Sequence, residues 1–219
     1  MRPPPDPPAD PPLRARVPIY KNLWVWTFIA GIVVLTAIRP LMRHIPEPPP
    51  VLGEVPAFSL IDQDGRPFGS ADLRGNPYVV SFFFTRCPSI CPTLMRQVRR
   101  LQDEYVAQHV AGVRLVSISV DPDFDTPARL REYGRELGVL TERWTLLTGD
   151  LPRIRALAEG GFKVPVGSPE ASGTVGMIDI AHTGKVVLVD GQGRVRGYYD
   201  TDDLGLEETL HRSRRVLSE

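Results

Sequence analysis

Cysteine is almost absent from this chain of 219 residues: Cys87 and Cys91 are the whole thiol inventory. Two thiols are too few for a disulfide-stapled secreted scaffold and exclude a four-cysteine zinc site within one chain. Net charge is also lacking. Lys+Arg and Asp+Glu both number 26, so the formal charge is zero. A dedicated nucleic-acid binder needs a basic surplus, so no nucleic-acid partner is expected. There is no fixed-period repeat. No P-loop, no G-x-S-x-G and no dinucleotide fingerprint is present. The four methionines, Met1, Met42, Met95 and Met177, are scattered, which leaves a methionine-rich metal site unsupported. What remains is 42% hydrophobic and 24% charged, a composition that suits a folded domain.

Proline is uneven. Fourteen of the 23 prolines lie before residue 57, which places a boundary there. Residues 1–22 begin MRPPPDPPADPP and read as a proline-rich disordered tail. The segment 23–38, LWVWTFIAGIVVLTAI, carries no charge. As a helix it spans about 24 Å, short of a hydrocarbon core of about 30 Å. Flanking residues extend it: Lys21 and Arg39 can snorkel, Trp24 and Trp26 suit an interface, and Leu41 and Met42 add apolar length. The rival readings are a cleaved signal peptide and a buried core helix. The first lacks a small-residue cleavage site, and the second would be amphipathic. The expectation is one N-terminal transmembrane anchor over 23–42. Arg14, Arg16 and Lys21 before it against Arg39 and Arg43 after it put the tail in the cytoplasm. Residues 43–56, with His44, read as a stiff proline-rich spacer, and the soluble domain is expected over 57–219.

That domain alternates strand and helix signals. Residues 78–84 (YVVSFFF) and 113–120 (VRLVSISV) read as buried strands, and 144–147 as a third. Residues 87–108 have helical spacing. Asp125-Thr126-Pro127 reads as a capped helix start, with the helix stopping at Gly138. A short helix over 151–159 precedes a loop, 160–177, with five glycines and two prolines. Residues 185–189 and 194–199 form a hairpin across Asp190-Gly191-Gln192-Gly193, and 206–217 a terminal helix. The pattern implies an α/β fold with a mixed sheet covered on both faces, and such sheets carry their sites at strand carboxyl ends.

Cys87 follows the strand 78–84 directly, in FTRCPSICP. A spacing of i, i+4 in a helical first turn puts the two Cα atoms about 6 Å apart, within disulfide range. The same geometry lets two thiolates converge on one soft metal ion, and helix amides together with Arg86 favour the thiolate. Two thiolates suffice for Cu(I), whereas Cu(II) needs imidazole or further donors and zinc usually wants four. His109 and His211 lie among polar residues and read as solvated. His182 follows the glycine-rich loop and precedes a strand. From position alone it stands between a third ligand and an ordinary strand-edge histidine.

FFFTRCPSICPTLM, SISVDPDFDTP and AHTGKVVLVDGQGRV, in that order, resemble the SCO/SenC proteins over roughly residues 51–217. The resemblance implies a membrane-anchored, thioredoxin-like copper protein that assists assembly of the copper A centre of cytochrome c oxidase. It implies copper as cofactor, with Cys87, Cys91 and His182 as ligands, and Cys87 and Cys91 as a redox-active disulfide pair. It implies the copper-A-bearing oxidase subunit as partner and admits another copper chaperone as donor. By the same resemblance the chain is not a turnover enzyme, with thiol–disulfide reduction of the target's cysteines as the alternative. Richness in alanine, arginine and proline points to a bacterium, hence an inner-membrane protein with a periplasmic domain. A mitochondrial protein would face the intermembrane space. Two positions depart from the family pattern: Ser89 stands where many members are acidic, and Ala181 where many have Asp before the histidine. A peroxidase fits less well, because Phe84 occupies the position three before the cysteine where peroxiredoxins carry Thr. A pure interaction module on a tether would not need the cysteines at all.

Overall fold

Between residues 78 and 83 six consecutive side chains are buried, and a strand buried on both sides needs cover above and below. The computed structural model describes residues 23–38, 49–165 and 184–219 and shows where that cover comes from. The chain divides into two units, Met1–Glu47 and Pro48–Glu219. The first unit contributes one described element, helix α1 (Leu23–Ile38). Its Leu23, Phe28 and Leu35 are exposed, as befits a helix apolar on every side. Among the described residues no helix is long and apolar enough to cross a membrane. The flanking residues 21 and 39–42, on which the expected span depends, lie outside the described residues, as do the tail 1–22 and His44.

The second unit opens with β1 (Gly53–Glu54), β2 (Ser59–Asp62), β3 (Pro67–Gly69), the four-residue α2 (Ser70–Leu73) and β4 (Tyr78–Phe83). Then come α3 (Ile90–Ala107), β5 (Arg114–Ser119), α4 (Pro127–Leu137) and β6 (Trp144–Thr148). Helix α5 (Leu151–Ala156) runs into a π-helical turn, Leu157–Gly161. The hairpin β7 (Lys185–Val189) and β8 (Arg194–Asp200) and helix α6 (Asp203–Leu217) complete the unit. The eight strands form one mixed sheet in the order β1-β8-β7-β4-β5-β6-β2-β3. The three central strands β4, β5 and β6 are parallel, with Phe83 opposite Ser119 at the carboxyl end.

Alternation along β4 sorts the core into two layers. Val79 and Phe83 face Leu94, Met95 and Val98 of α3, Leu130 of α4 and Leu206 and Val216 of α6. Tyr78, Val80 and Phe82 face Leu60, Ile154, Leu157 and Phe162, with Phe162 edge-on to Phe82 at 5.6 Å. The polar residue in the run, Ser81, is paired with Ser117 at 2.6 Å, so its buried hydroxyl is satisfied.

The described part of this unit begins at residue 49, earlier than the boundary at 57 that proline content suggests. Gly53 and Glu54 pair with Val195 and Arg194, and the buried Arg196 guanidinium donates to the Pro49 carbonyl at 2.8 Å. Arg196 also grips Asp190 (3.0 Å) and both carboxylate oxygens of Glu219 (2.6 and 2.7 Å), so the two ends of the unit meet on one cation. Helix α4 starts with Thr126 as cap, its hydroxyl accepting from Arg129 N, with Pro127 in the first turn and the left-handed Gly138 (φ +76°) closing it. Helix α3 starts later than its spacing predicts, at Ile90 rather than Cys87.

Candidate metal centre

Because β4 ends at Phe83 and α3 begins at Ile90, Cys87 lies in the connecting turn and Cys91 is the second residue of the helix. The expected helical first turn therefore holds only one of the two thiols. The prolines explain the delay. Pro88 lacks an N–H and presses its predecessor towards extended backbone, whereas Pro92 sits within the first turn, where a missing N–H costs nothing. The turn nevertheless brings the sulfurs' surroundings together. Both cysteines are free thiols, and the Cys91 amide donates to Cys87 Sγ at 3.5 Å. The Ser89 hydroxyl stands 3.8 Å from the same sulfur, so the residue that departs from the family pattern touches the thiol directly.

The two thiols are inequivalent. Burial works to raise Cys87, but hydrogen bonds from the Cys91 and Ser89 amides and side chains outweigh it and hold this thiol below its ordinary value. Burial pushes Cys91 up to about 12, and the hydrogen bond with Cys87 adds to the rise. Exposure agrees in direction: Cys87 is 8% exposed and Cys91 2%. Arg86, expected to favour the thiolate, is turned away. Its guanidinium grips Asp121 (2.5 and 3.2 Å) and stacks 5.0 Å over the exposed Phe124. In the reduced, metal-free protein at pH 7, iodoacetamide is expected to label Cys87 faster than Cys91 by about tenfold or more. The difference in thiolate fraction exceeds the lower intrinsic nucleophilicity of the more acidic thiol. Peptide mapping of a time course reads this directly, and equal labelling would contradict the asymmetry.

Two soft sulfur donors on one side of a turn suit a soft, low-coordinate ion. Among the described residues no group of three or more His, Cys, Asp or Glu forms a metal-sized cluster. His182, the expected third ligand, lies outside the described residues, as does most of the 160–177 loop. His109 and His211 are exposed, as read from their polar neighbours.

Sequence reasoning missed the group beneath the turn. Asp125, read as part of a helix start, is fully buried and leaves the capping to Thr126. Its carboxylate accepts from Thr85 N at 3.0 Å, Thr85 Oγ1 at 2.5 Å and Ser119 Oγ at 2.5 Å. The available signal was a pair of acidic residues, Asp121 and Asp125, just past the carboxyl end of the strand beside the cysteine strand.

Comparison with known proteins places this arrangement. The SCO1/SenC family description matches residues 50–218. A SCO1 protein homolog of Bacillus subtilis is 31% identical over 161 residues, covering 73% of this chain and 78% of the relative. Among solved structures, BsSco, a member of the Sco family of cytochrome c oxidase assembly proteins in which a disulfide switch was identified, superposes with a TM-score of 0.68 at 27% identity. The match covers 78% of this chain and 97% of BsSco. ScoI of Arabidopsis thaliana, solved with copper bound, superposes with a TM-score of 0.61 at 26% identity, covering 75% of this chain and 99% of that one. The mixed sheet flanked by helices is thus the thioredoxin-like Sco fold, and the chain belongs to the SCO1/SenC family.

Proposed function

We propose that the chain is a copper-binding metallochaperone that prepares or loads the copper A centre of cytochrome c oxidase. The observation that carries this reading is the free thiol pair, four residues apart, at the carboxyl end of β4, with one sulfur accepting a helix-start amide. Cys87 and Cys91 would hold Cu(I) as thiolates, and His182 would complete a site of two sulfurs and one imidazole for Cu(II). Copper is cargo here, passed by ligand exchange to the copper-A-bearing subunit and received from another copper chaperone. Oxidation of the pair to a disulfide removes both sulfur donors, so redox state gates loading. The relatives support this reading, since one is a cytochrome c oxidase assembly protein and another was solved with copper bound. The apolar stretch 23–42, most of which forms α1, supports a single-pass anchor in a bacterial inner membrane with the domain in the periplasm.

A second reading, a reductase of the target's copper-ligand cysteines, is favoured by one observation. A lowered Cys87 beside a raised Cys91 is the pairing of an attacking and a resolving thiol. In that reading a target disulfide gains two electrons and two protons as Cys87 and Cys91 lose them to form their own disulfide.

Titration of the reduced protein with Cu(I) and Cu(II), beside His182→Ala, tests the first reading. The wild type is expected to bind one equivalent, with a thiolate-to-Cu(II) charge-transfer band that His182→Ala loses while keeping Cu(I). An unchanged band and Cu(II) affinity in His182→Ala would remove the histidine from the site. No tight copper binding by the wild type would leave the reductase reading.

A further inference from the structure

The turn that carries Cys87 has little to hold it in place from within. Among the described residues one backbone–backbone hydrogen bond lies within it, Cys87 N to the Phe84 carbonyl at 3.3 Å. Its anchorage comes from the neighbouring β5–α4 loop. Thr85 and Arg86, the two residues before Cys87, are each held by a carboxylate of that loop: Thr85 by Asp125 and Arg86 by Asp121. The loop is internally braced, with Asp125 N donating to the Asp121 carbonyl at 2.8 Å and Asp121 N to Ser119 Oγ at 3.2 Å. Asp121 and its partner Arg86 are reached by solvent on the guanidinium side, but Asp125 is wholly buried. Hydrogen bonds to a buried carboxylate are short and strong, and three of them converge here.

We propose that Asp125 is the positioning residue of the cysteine pair, fixing the Cys87 turn against Cys91 through Thr85. The proposal rests on the reading that this pair is the working site. A helix cap does not explain the carboxylate, because the Thr126 hydroxyl already caps α4. A ligand role does not explain it either, because both oxygens are engaged by Thr85 and Ser119. Asparagine at 125 can keep all three bonds. Its carbonyl accepts from Thr85 N and Ser119, and its amide donates to a Thr85 hydroxyl that has turned around. Alanine keeps none.

The copper-independent readout is the thiol–disulfide equilibrium with glutathione. Cys87 and Cys91 are oxidised to one disulfide while one oxidised glutathione is reduced to two thiols. Holding the sulfurs together is an effective-concentration effect, so loosening the turn lowers this equilibrium constant. In the full chain, Asp125→Ala is expected to lower it about tenfold or more, and Thr85→Val by a smaller factor. Asp125→Asn is expected to stay within about threefold of wild type. A folded Asp125→Ala with the wild-type constant overturns the proposal. So does an Asp125→Asn that falls as far as Asp125→Ala, because charge and not placement would then be at work. Should Asp125→Ala fail to fold, Thr85→Val decides: a lowered constant at an unchanged melting temperature supports positioning, and an unchanged constant refutes it. Copper titration separates the two claims. A wild type that binds no copper, with Asp125→Ala still shifted, sinks the chaperone reading and leaves the positioning role standing. Copper binding with no shift does the reverse.

Discussion

Cys91→Ser is expected to abolish tight Cu(I) binding, weakening it by more than about a hundredfold. Losing an outer partner of a metal ligand typically costs about 10–100-fold, and losing a ligand must exceed that. The described residues offer no compensation, since no third His, Cys, Asp or Glu clusters with the pair and the carboxylate of Asp125 is fully engaged. A serine hydroxyl is a hard donor that stays protonated at neutral pH, so it cannot replace a thiolate on a soft ion. The substitution is nearly isosteric, and the turn can still deliver the residue-91 amide to Cys87 Sγ. Folding should therefore be close to wild type, and the effect is on the site alone. Competition against a Cu(I) chelator of known affinity measures it, with a melting curve as control. Affinity retained within about tenfold would mean that copper sits elsewhere. The contrast with His182→Ala is informative, because two thiolates suffice for Cu(I) and that variant should keep it.

The parts of this molecule that were legible in the sequence are those set by long-period patterns. Strand β4 shows as an apolar run because both faces are buried, and α4 shows because proline and glycine bound it. The hairpin turn was legible for a similar reason: Asp190 accepts from the Gln192 and Arg194 amides, and Gly193 takes φ +84°. Elements β1 to β3 and α2 were not legible. They span two to four residues each, too short for periodicity, and β3 begins with a proline that only an edge strand tolerates. The cysteine pair announced itself by rarity and spacing, but its setting did not. Arg86 looked like a charge for the thiolate, yet Asp121 lies 35 residues away in sequence and only the parallel pairing of β4 with β5 brings the two together. Asp125 sat in a helix-start pattern that Thr126 satisfies instead. Local motifs name the residues, but the long-range pairing of strands decides what each side chain faces.

Trp144→Ala is expected to lower stability by about 3–5 kcal/mol, among the largest losses available to a single core substitution. Trp144 lies fully buried in β6, in the layer shared with α3 and α4. Its removal empties an indole-sized volume that neighbours anchored on strands cannot fill. Its Nε1 also donates to Ser117 Oγ at 2.9 Å. For a chain of this size the loss corresponds to a melting temperature lower by roughly 10 °C. Trp144→Phe isolates the volume from the hydrogen bond. Ser117 keeps Ser81 as partner, so no buried hydroxyl is orphaned, and the cost should fall to about 1–2 kcal/mol. Urea denaturation of the three proteins checks the order. Trp144 opens β6 at the end of the parallel strands away from the cysteine turn, with β5 between β6 and β4, so copper affinity per folded molecule should be unchanged in both variants. A lost affinity at full folding would mean that β6 transmits its packing through β5 to the cysteine turn. A small loss of stability in Trp144→Ala would mean that the layer between the sheet and α3 can collapse, which its strand-anchored neighbours argue against.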